Sequence, residues 1–253
     1  MTHHYDDPDF SYLDYWKNRD YEHQAEIVAL NRLLSGSNFP VCADIGGGFG
    51  RLEPLLTKFC TRIILVDPSA NHRRQARIKL KKNKNIFIMS GSAQKIRLYP
   101  QSVNLALLIR VAHHLPDLVP TFTEIHRLLT PGGRFILEFA NSQNFKSRFR
   151  SLFFGPRIPL TPLEKRSLQN IKKMSIPFVN HHPLAVIKSL RRSGFFVDTV
   201  LSVSNFRYQK LKKFLPRHLL LILEYFSQPL LSHVYFGPSL FILSHRVDIN
   251  PLS

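Results

Sequence analysis

Two kinds of hydrophobic pattern alternate along the first 141 residues of the chain. Short apolar runs alternate with segments in which apolar residues recur every three or four positions, as Ile27, Leu30 and Leu34 do. The runs predict strands at 41–45, 62–66, 86–89, 103–109 and 134–139, with helices between them. Nearly continuous apolar strands separated by helices are typical of a parallel sheet that is covered on both faces.

The pattern changes after residue 141. Residues 142–180 contain four prolines and many basic residues, which indicates an insertion rather than a unit of the core. The remaining elements are predicted as a helix at 183–192, a strand at 195–204, an amphipathic helical stretch at 207–233 with a kink at Pro216, and a strand at 239–244.

These elements predict an α/β fold. We expect a Rossmann-like, seven-stranded, mostly parallel sheet with helices on both faces. Residues 1–35 would form a helical N-terminal lid, and residues 36–253 a single domain with C-terminal cap insertions at about 142–180 and 207–233. A chain of 253 residues is long enough for one sizeable core of this kind.

The formal net charge of +18 is unevenly distributed. Residues 1–141 hold 18 Lys/Arg and 13 Asp/Glu, whereas residues 142–253 hold 17 and 4. Such a field attracts RNA, an anionic membrane surface or an acidic substrate. The alternative is a host whose proteins are basic in general, and the sequence leaves both interpretations open.

The sequence contains two cysteines, Cys42 and Cys60. Because Cys42 falls inside an apolar strand, we expect no disulfide framework and a reducing, cytoplasmic location. The first residues are polar and acidic, unlike a signal peptide. No apolar run approaches the ~20 residues of a membrane span. We therefore expect no transmembrane segment. Peripheral membrane contact remains open, and no obligate protein partner is evident.

The strongest chemical signal is the glycine-rich sequence Asp44-Ile45-Gly46-Gly47-Gly48-Phe49-Gly50, directly after the first strand. Glycines there permit a tight turn and the close approach of a ligand to backbone N–H groups. A dinucleotide fingerprint starting at Gly46 would need a small residue at Arg51, and the Gly-Lys-Ser/Thr of a P-loop is absent. The remaining pattern is D-x-G-x-G-x-G.

A second signal is Asp67, at the end of the second predicted strand. Its carboxylate can accept hydrogen bonds from both hydroxyls of a ribose. Alternatively, Asp67-Pro68-Ser69 only caps the next helix.

Further segments follow in order: Gly91-Ser92-Ala93-Gln94, then Arg110-Val111-Ala112-His113-His114-Leu115-Pro116-Asp117, then Leu128-Leu129-Thr130-Pro131-Gly132-Gly133. Together with the glycine motif and Asp67, they resemble the class I methyltransferases that use S-adenosylmethionine (SAM), in particular the broad type 11 group of small-molecule enzymes. The resemblance covers residues 36–141 and implies SAM as the cofactor. Ser92 stands where the group often has an Asp near the adenine amine, so that contact would lack charge.

The resemblance also implies a set of site residues. The implied cofactor-binding residues are Asp44, Gly46, Gly48, Gly50, Asp67, Pro68, Ser92, Ala93, Arg110 and Arg19. In related enzymes a segment such as 15–22 covers the cofactor, so Arg19 could pair with the methionine carboxylate and Tyr15 or Tyr21 could shield the methyl group. The alternative is that the aromatic residues anchor the first helix on the core.

His113 and His114 are the candidate catalytic residues. They follow the fourth strand, at the sheet edge where open α/β folds bind ligands, and either could be a general base. The alternative is that one packs and the other only touches the substrate. His181 and His182 could face the same pocket, but further ligands at suitable spacing are missing, so no metal site is expected.

The sequence thus predicts a methyltransferase that acts on a small-molecule acceptor by in-line displacement at the sulfonium methyl group, chiefly through positioning and desolvation. The alternatives are an RNA methyltransferase, favoured by charge but without a recognisable RNA-binding module, and a SAM-binding protein without turnover.

Overall fold

The computed structural model describes residues 19–172 and 175–248 as a sheet of seven strands, a separate two-stranded hairpin and nine helices within those residues. The strands are β1 (Phe39–Ile45), β2 (Cys60–Asp67), β3 (Ile86–Ser90), β4 (Val103–Leu108), β5 (Leu129–Ala140), β6 (Leu163–Glu164), β7 (Val179–Asn180), β8 (Phe195–Val203) and β9 (Ser239–Arg246). The helices are α1 (Asp20–Leu34), α2 (Glu53–Leu56), α3 (Ala70–Leu80), α4 (Val119–Leu128), α5 (Phe145–Phe154), α6 (Leu168–Lys172), α7 (Pro183–Arg192), α8 (Gln209–Phe214) and α9 (Arg217–Ser232).

The strand order of the large sheet is β3-β2-β1-β4-β5-β9-β8. β1 pairs in parallel with both β2 and β4, while β9 runs antiparallel to its two neighbours, β5 and β8. The predicted fold class is therefore confirmed. The connections reverse direction between β1 and β4, and in open α/β sheets the crevice outside the carboxyl ends at such a point is where ligands bind.

Two hydrophobic clusters cover the two faces of the sheet. One joins alternate residues of β1, β4, β8 and β9 to α1, α2 and α9, through side chains such as Leu30, Leu56 and Leu220. The other joins the remaining residues of β1, β4, β5 and β9 to α4 and α7, through side chains such as Phe122 and Leu190. Because successive strand residues point to opposite faces, the continuous apolar runs supply both clusters at once.

Only residues 19–35 of the predicted N-terminal lid are among the described residues. Residues 1–18, including Tyr15 and Trp16, lie outside the described residues. The described helix α1 packs into the core, since Ala25, Ala29 and Leu34 are fully buried. The described part of the predicted lid, helix α1, thus forms a layer of the fold, and a lid over the site remains a prediction.

The two predicted cap segments differ. Residues 142–172 and 175–180 carry α5, α6 and the antiparallel pair β6 and β7, outside the seven-stranded sheet, and their role as a cap remains a prediction. Within residues 207–233, Leu220 of α9 belongs to the core cluster that also contains α1. This helix packs on α1 and β8, so it is part of the fold rather than a cover.

The prediction about the cysteines is wrong. Cys42 and Cys60 form a disulfide, with their Cα atoms 6.0 Å apart. The expectation rested only on the burial of Cys42, whereas β1 and β2 are neighbouring strands and bring the two cysteines close although Cys60 lies opposite Phe39 in the register. Within the described ranges, no helix is long and apolar enough to cross a membrane.

The disulfide should stabilise the fold. Closing an 18-residue loop restricts the unfolded chain and should contribute about 3 kcal/mol to the free energy of unfolding. We expect denaturant unfolding with and without reductant to differ by about this amount, and the Cys42→Ala/Cys60→Ala variant to be insensitive to reductant. Two free thiols in the untreated, denatured protein would contradict the assignment.

Candidate functional site

A cavity of about 280 Å³ opens at the carboxyl ends of β1, β2 and β4, where the strand order predicts a ligand. The lining residues come from five separate segments of the chain and are Gly46, Gly48, Asp67, Pro68, His72, Ser92, Ala93, Arg110, Val111, His114, Leu115 and Ile176. The structure thus brings together seven of the ten predicted cofactor-binding residues and one of the two predicted catalytic histidines.

The glycine turn after β1 holds a conformation that other residues rarely adopt. Gly46, Gly48 and Gly50 have φ angles of +77°, +59° and +79°. A Cβ on Gly46 would lie 2.2 Å from Cγ2 of Val111, so a side chain there would collide with the segment that follows β4. The turn therefore keeps two chain segments close together at the edge of the cavity.

The N–H groups of this turn are engaged within the protein. The N–H of Gly46 donates to the carbonyl of Val66 at 2.7 Å, and the N–H of Gly48 donates to Oδ2 of Asp67 at 2.9 Å. These two N–H groups, which we expected to face a ligand, are thus already hydrogen-bonded within the protein. The polar side chains that line the cavity, such as Asp67 and Ser92, remain as candidate ligand contacts.

Asp67 lies at the end of β2 and lines the cavity with only 4% of its surface exposed. Its Oδ1 accepts a hydrogen bond from the N–H of Ser69 at 2.8 Å. The capping role that was the alternative for Asp67 belongs to Ser69, whose hydroxyl accepts from the N–H of His72 at the start of α3. Nδ1 of His72 also lies 3.5 Å from Oδ1. Because a carboxylate has about four lone-pair sites, room for a ligand hydroxyl remains chiefly at Oδ2.

Two other predicted residues lie beside the main cavity rather than in it. Asp44 lines a small adjoining cavity that shares Gly46 and Arg110 with the large one. Burial raises the pKa of Asp44 to about 6, and burial together with the Asp44 carboxyl raises the pKa of Glu53 well above its usual range. Gly50 faces α3, where its carbonyl accepts from Nζ of Lys79 at 2.6 Å.

A buried ionic cluster holds α1 against the site, and sequence reasoning missed it. Glu26 is fully buried and accepts hydrogen bonds from Arg51 at 2.7 Å and from Nε of Arg110 at 2.6 Å. Burial raises the pKa of Glu26, but the two guanidinium groups outweigh it and lower the pKa below its usual value. The sequence signal that could have revealed this cluster is an acidic residue, Glu26, on the apolar face of the first predicted helix.

Arg110 has an unusual backbone conformation, with φ of +62°. Its N–H donates to Oε2 of the buried Glu138 at 2.8 Å, which fixes the backbone where β4 leaves the sheet. A strained residue that is held from several sides is a common feature of binding sites. Arg110 is thus fixed at the junction of the large and small cavities.

The two adjacent histidines have different environments. His114 lines the cavity, and its Nδ1 lies 2.9 Å from the carbonyl of Pro177, which requires the proton to be on Nδ1. His113 is not among the lining residues and packs against His114 and Phe178, with ring centroids 4.0 and 4.8 Å away. Burial, followed by the charges of His114 and Arg110, lowers the pKa of His113 well below its usual value. His114 is therefore the better candidate for a base.

The second histidine pair serves the structure. Nε2 of His181 lies 3.0 Å from the carbonyl of Ala112, and Nδ1 of His182 accepts from the N–H of Leu184 at the start of α7. Neither histidine lines the cavity. Among the residues that the structure describes, no group of three or more His, Cys, Asp or Glu side chains could hold a metal ion.

Two predicted N-terminal residues, Tyr21 and Arg19, are not among the residues that line the cavities at the site. Tyr21 does not shield the cavity, because it is buried and its hydroxyl donates to Oε2 of Glu224 in α9 at 2.6 Å. Arg19 immediately precedes α1 and is not among the residues lining either cavity at the site, so its contact with the methionine carboxylate remains a prediction.

The comparisons with known proteins agree with this geometry. Residues 43–137 match the family model described as a methyltransferase domain. The sequence is 31% identical over 117 residues to the ubiquinone/menaquinone biosynthesis C-methyltransferase of Rubrivivax gelatinosus, and the match covers 46% of each chain. The chain thus spans about half the length of that relative.

Solved structures share the fold over more of the chain. A SAM-dependent methyltransferase from Mesorhizobium loti is 17% identical, with a TM-score of 0.61, and the match covers 88% of this chain and 98% of the other. Geranyl diphosphate C-methyltransferase from Streptomyces coelicolor, solved with geranyl diphosphate and S-adenosyl-L-homocysteine, is 15% identical, with a TM-score of 0.59 and coverage of 88% and 77%.

The sequence resemblance to class I SAM-dependent methyltransferases is therefore confirmed. Over residues 43–137 the chain is similar to a methyltransferase domain, and SAM is the cofactor that this similarity supports. The residues present suit that cofactor, since a carboxylate for ribose hydroxyls, an arginine and an apolar wall surround one cavity.

Asp67→Ala should weaken SAM binding by about 1.5–3 kcal/mol, the scale of a hydrogen bond to a charged group. Isothermal calorimetry measures this directly. Ser69→Ala is the matched control, because it removes the helix cap and should reduce stability by about 1 kcal/mol with little change in SAM affinity. Unchanged affinity in a folded Asp67→Ala protein would locate the ribose elsewhere.

Proposed function

We propose that this protein transfers the methyl group of SAM to a small, apolar molecule that carries an acidic group. The observation that carries the proposal is the single cavity in which Asp67 and His114 both take part. One end of that cavity suits a nucleoside, and the other offers a base beside apolar side chains.

The cofactor would be held by residues at the ends of three strands. Asp67 and Pro68 would hold the ribose, and Ser92 and Ala93 would lie along the adenine. Arg110, at the entrance to the small cavity, would attract the methionine carboxylate. When bound, SAM supplies an activated methyl group on a positively charged sulfur.

The protein contributes mainly orientation and exclusion of water. Val111, Leu115 and Ile176 form an apolar wall of the cavity. An acceptor held against this wall loses part of its hydration shell, and its nucleophilic atom then reacts more readily with a sulfonium methyl group. The protein needs no covalent intermediate for such a transfer.

His114 would receive the proton that the acceptor loses. With Nδ1 donating to the carbonyl of Pro177, Nε2 is left as the acceptor nitrogen. The backbone contact fixes the ring and the tautomer, which is what a positioned base requires. An acceptor that is already ionised would not need this step.

The acceptor class is inferred from the cavity wall and its charges. The lining is largely apolar, and Arg110 provides a cationic group near it. Two of the similar proteins act on substrates of related chemistry, one in ubiquinone and menaquinone biosynthesis and one on geranyl diphosphate. We infer an acceptor with an apolar body and a polar or anionic head.

The charge of +18 supports RNA as a second candidate acceptor.

We place the reaction in the cytoplasm, where SAM is available. The Cys42–Cys60 disulfide is unusual there, but both cysteines are buried, which protects the bond from soluble reductants.

The reaction is tested by incubating the protein with labelled SAM and separate small-molecule, lipid and RNA fractions from the host. We expect label in an apolar small-molecule or lipid fraction. Label confined to RNA would replace the proposed acceptor, and SAM binding without label in any fraction would indicate a protein without turnover.

His114→Ala should lower the rate of methyl transfer by about 10²–10⁴-fold, the usual contribution of a general base, and leave SAM affinity within a few-fold. His245→Ala is the matched control, because His245 pairs with Asp198 at 2.9 Å, away from the cavity, and should keep full activity. Full turnover by His114→Ala on the true acceptor would remove the histidine from the mechanism.

A further inference from the structure

Helix α9 buries polar side chains and exposes apolar ones. Glu224, Gln228 and Ser232 are buried, and Glu224 accepts from Tyr21 at 2.6 Å while Nε2 of Gln228 donates to the carbonyl of Ala25 at 2.9 Å. The other side of the helix carries exposed apolar residues at helical spacing, namely Leu219, Ile222, Leu223, Phe226 and Leu230. A surface helix of a globular protein ordinarily has the opposite arrangement.

Helix α5 also presents apolar side chains to the outside. None of its residues is buried. Its exposed apolar residues are Phe145, Phe149, Leu152, Phe153 and Phe154, the last with 81% of its surface exposed. Four aromatic rings on one ten-residue helix therefore find no place in the core.

Helix α5 contacts the segment that directly follows α9. The N–H of Phe145 donates to the carbonyl of Phe236 at 2.9 Å, and the two rings stack with centroids 5.0 Å apart. Arg148 donates to the carbonyl of Val234, two residues beyond the end of α9. We call the exposed apolar side chains of α5 and α9 the apolar patch. Monomeric soluble proteins rarely expose such a surface without a function.

The surroundings of the apolar patch are basic. Helix α5 carries Lys146, Arg148 and Arg150 and contains no acid, while the one acid of α9, Glu224, is buried. Residues 142–172 hold seven Lys/Arg and one acid, Glu164, which is paired with Arg166 at 2.6 Å. Aromatic and leucine side chains beside unpaired positive charge are the composition of helices that lie in a membrane interface.

We propose that the apolar patch is a docking surface for a bilayer that contains anionic phospholipids. The lipid chains would take up the exposed rings and leucines, and the headgroups would neutralise the lysines and arginines. A second copy of the chain would bring two basic surfaces together, and RNA phosphates would leave the apolar side chains in water. Of these three occupants, only the anionic bilayer satisfies both features.

The α5 part of the patch lies at the same edge of the sheet as the cavity. Helix α5 begins five residues after the carboxyl end of β5, and the segment that follows it contributes Ile176 to the cavity wall. A molecule dissolved in the bilayer would thus be near the cavity when the protein is docked. Docking itself needs neither SAM nor an acceptor, so the inference stands apart from the proposed reaction.

The test is co-sedimentation of the intact protein with vesicles. We expect binding to vesicles of equal parts phosphatidylcholine and phosphatidylglycerol, at least ~10-fold tighter than to phosphatidylcholine alone. Phe154→Glu/Phe226→Glu, at two exposed patch residues, should reduce vesicle binding by at least ~10-fold. Tyr99→Glu is the control, because Tyr99 is 84% exposed and precedes β4 at the opposite end of the sheet.

A second pair of variants separates a local site from overall charge. Lys146→Glu/Arg150→Glu on α5 should weaken binding, whereas Arg77→Glu/Lys81→Glu near the end of α3 changes the net charge equally and should have an effect below ~2-fold. If both double variants lost vesicle binding equally, net charge alone would attract the protein to the vesicles, and the proposed docking surface would be wrong.

Three further results would overturn the proposal. The first is that the intact protein does not bind anionic vesicles. The second is that Phe154→Glu/Phe226→Glu binds vesicles as tightly as the wild type. The third is that analytical ultracentrifugation shows a dimer that depends on the apolar patch, while the protein does not bind vesicles. Loss of vesicle binding with methyl transfer to a water-dispersed acceptor retained would support docking and leave the proposed reaction intact.

Discussion

The site depends on the close approach of two chain segments at the point where the sheet reverses direction. Gly46 can take its conformation beside Val111 only because it has no side chain, and Asp67 fixes the same turn by accepting from the N–H of Gly48. These contacts set the distance between the ends of β1, β2 and β4. The cavity lies at these three ends, and the turn fixes the shape of its edge.

Electrostatics then fix the helix that closes one side of the site. Glu26 of α1 is buried between Arg51 and Arg110, so the N-terminal helix is tied both to the glycine turn and to the exit of β4. Removing one partner of such a buried cluster leaves an uncompensated charge, which costs several kcal/mol. We conclude that α1 and the cofactor region fold as a unit, and that Arg110 owes its position to two carboxylates far from it in sequence, Glu26 and Glu138.

The sequence predicts much of this because the relevant signals are local. Alternating apolar runs give the strands, and the motif around Gly46 with Asp67 gives the cofactor. The misses depend on contacts between distant segments. The Cys42–Cys60 disulfide arises from strand pairing, the Glu26 cluster from packing of α1, and the Tyr21–Glu224 bond from α9 lying on α1. Helix α9 buries its polar side and exposes apolar residues. Its sequence shows only an amphipathic pattern, and such a pattern does not say which side faces the core.

If the cavity between Asp67 and His114 binds SAM, titration calorimetry of the intact protein should show one site for SAM and for S-adenosyl-L-homocysteine. NAD should not bind, because the glycine spacing that ends in Arg51 departs from the dinucleotide pattern. Binding of NAD without binding of SAM would show that the cavity holds a different cofactor.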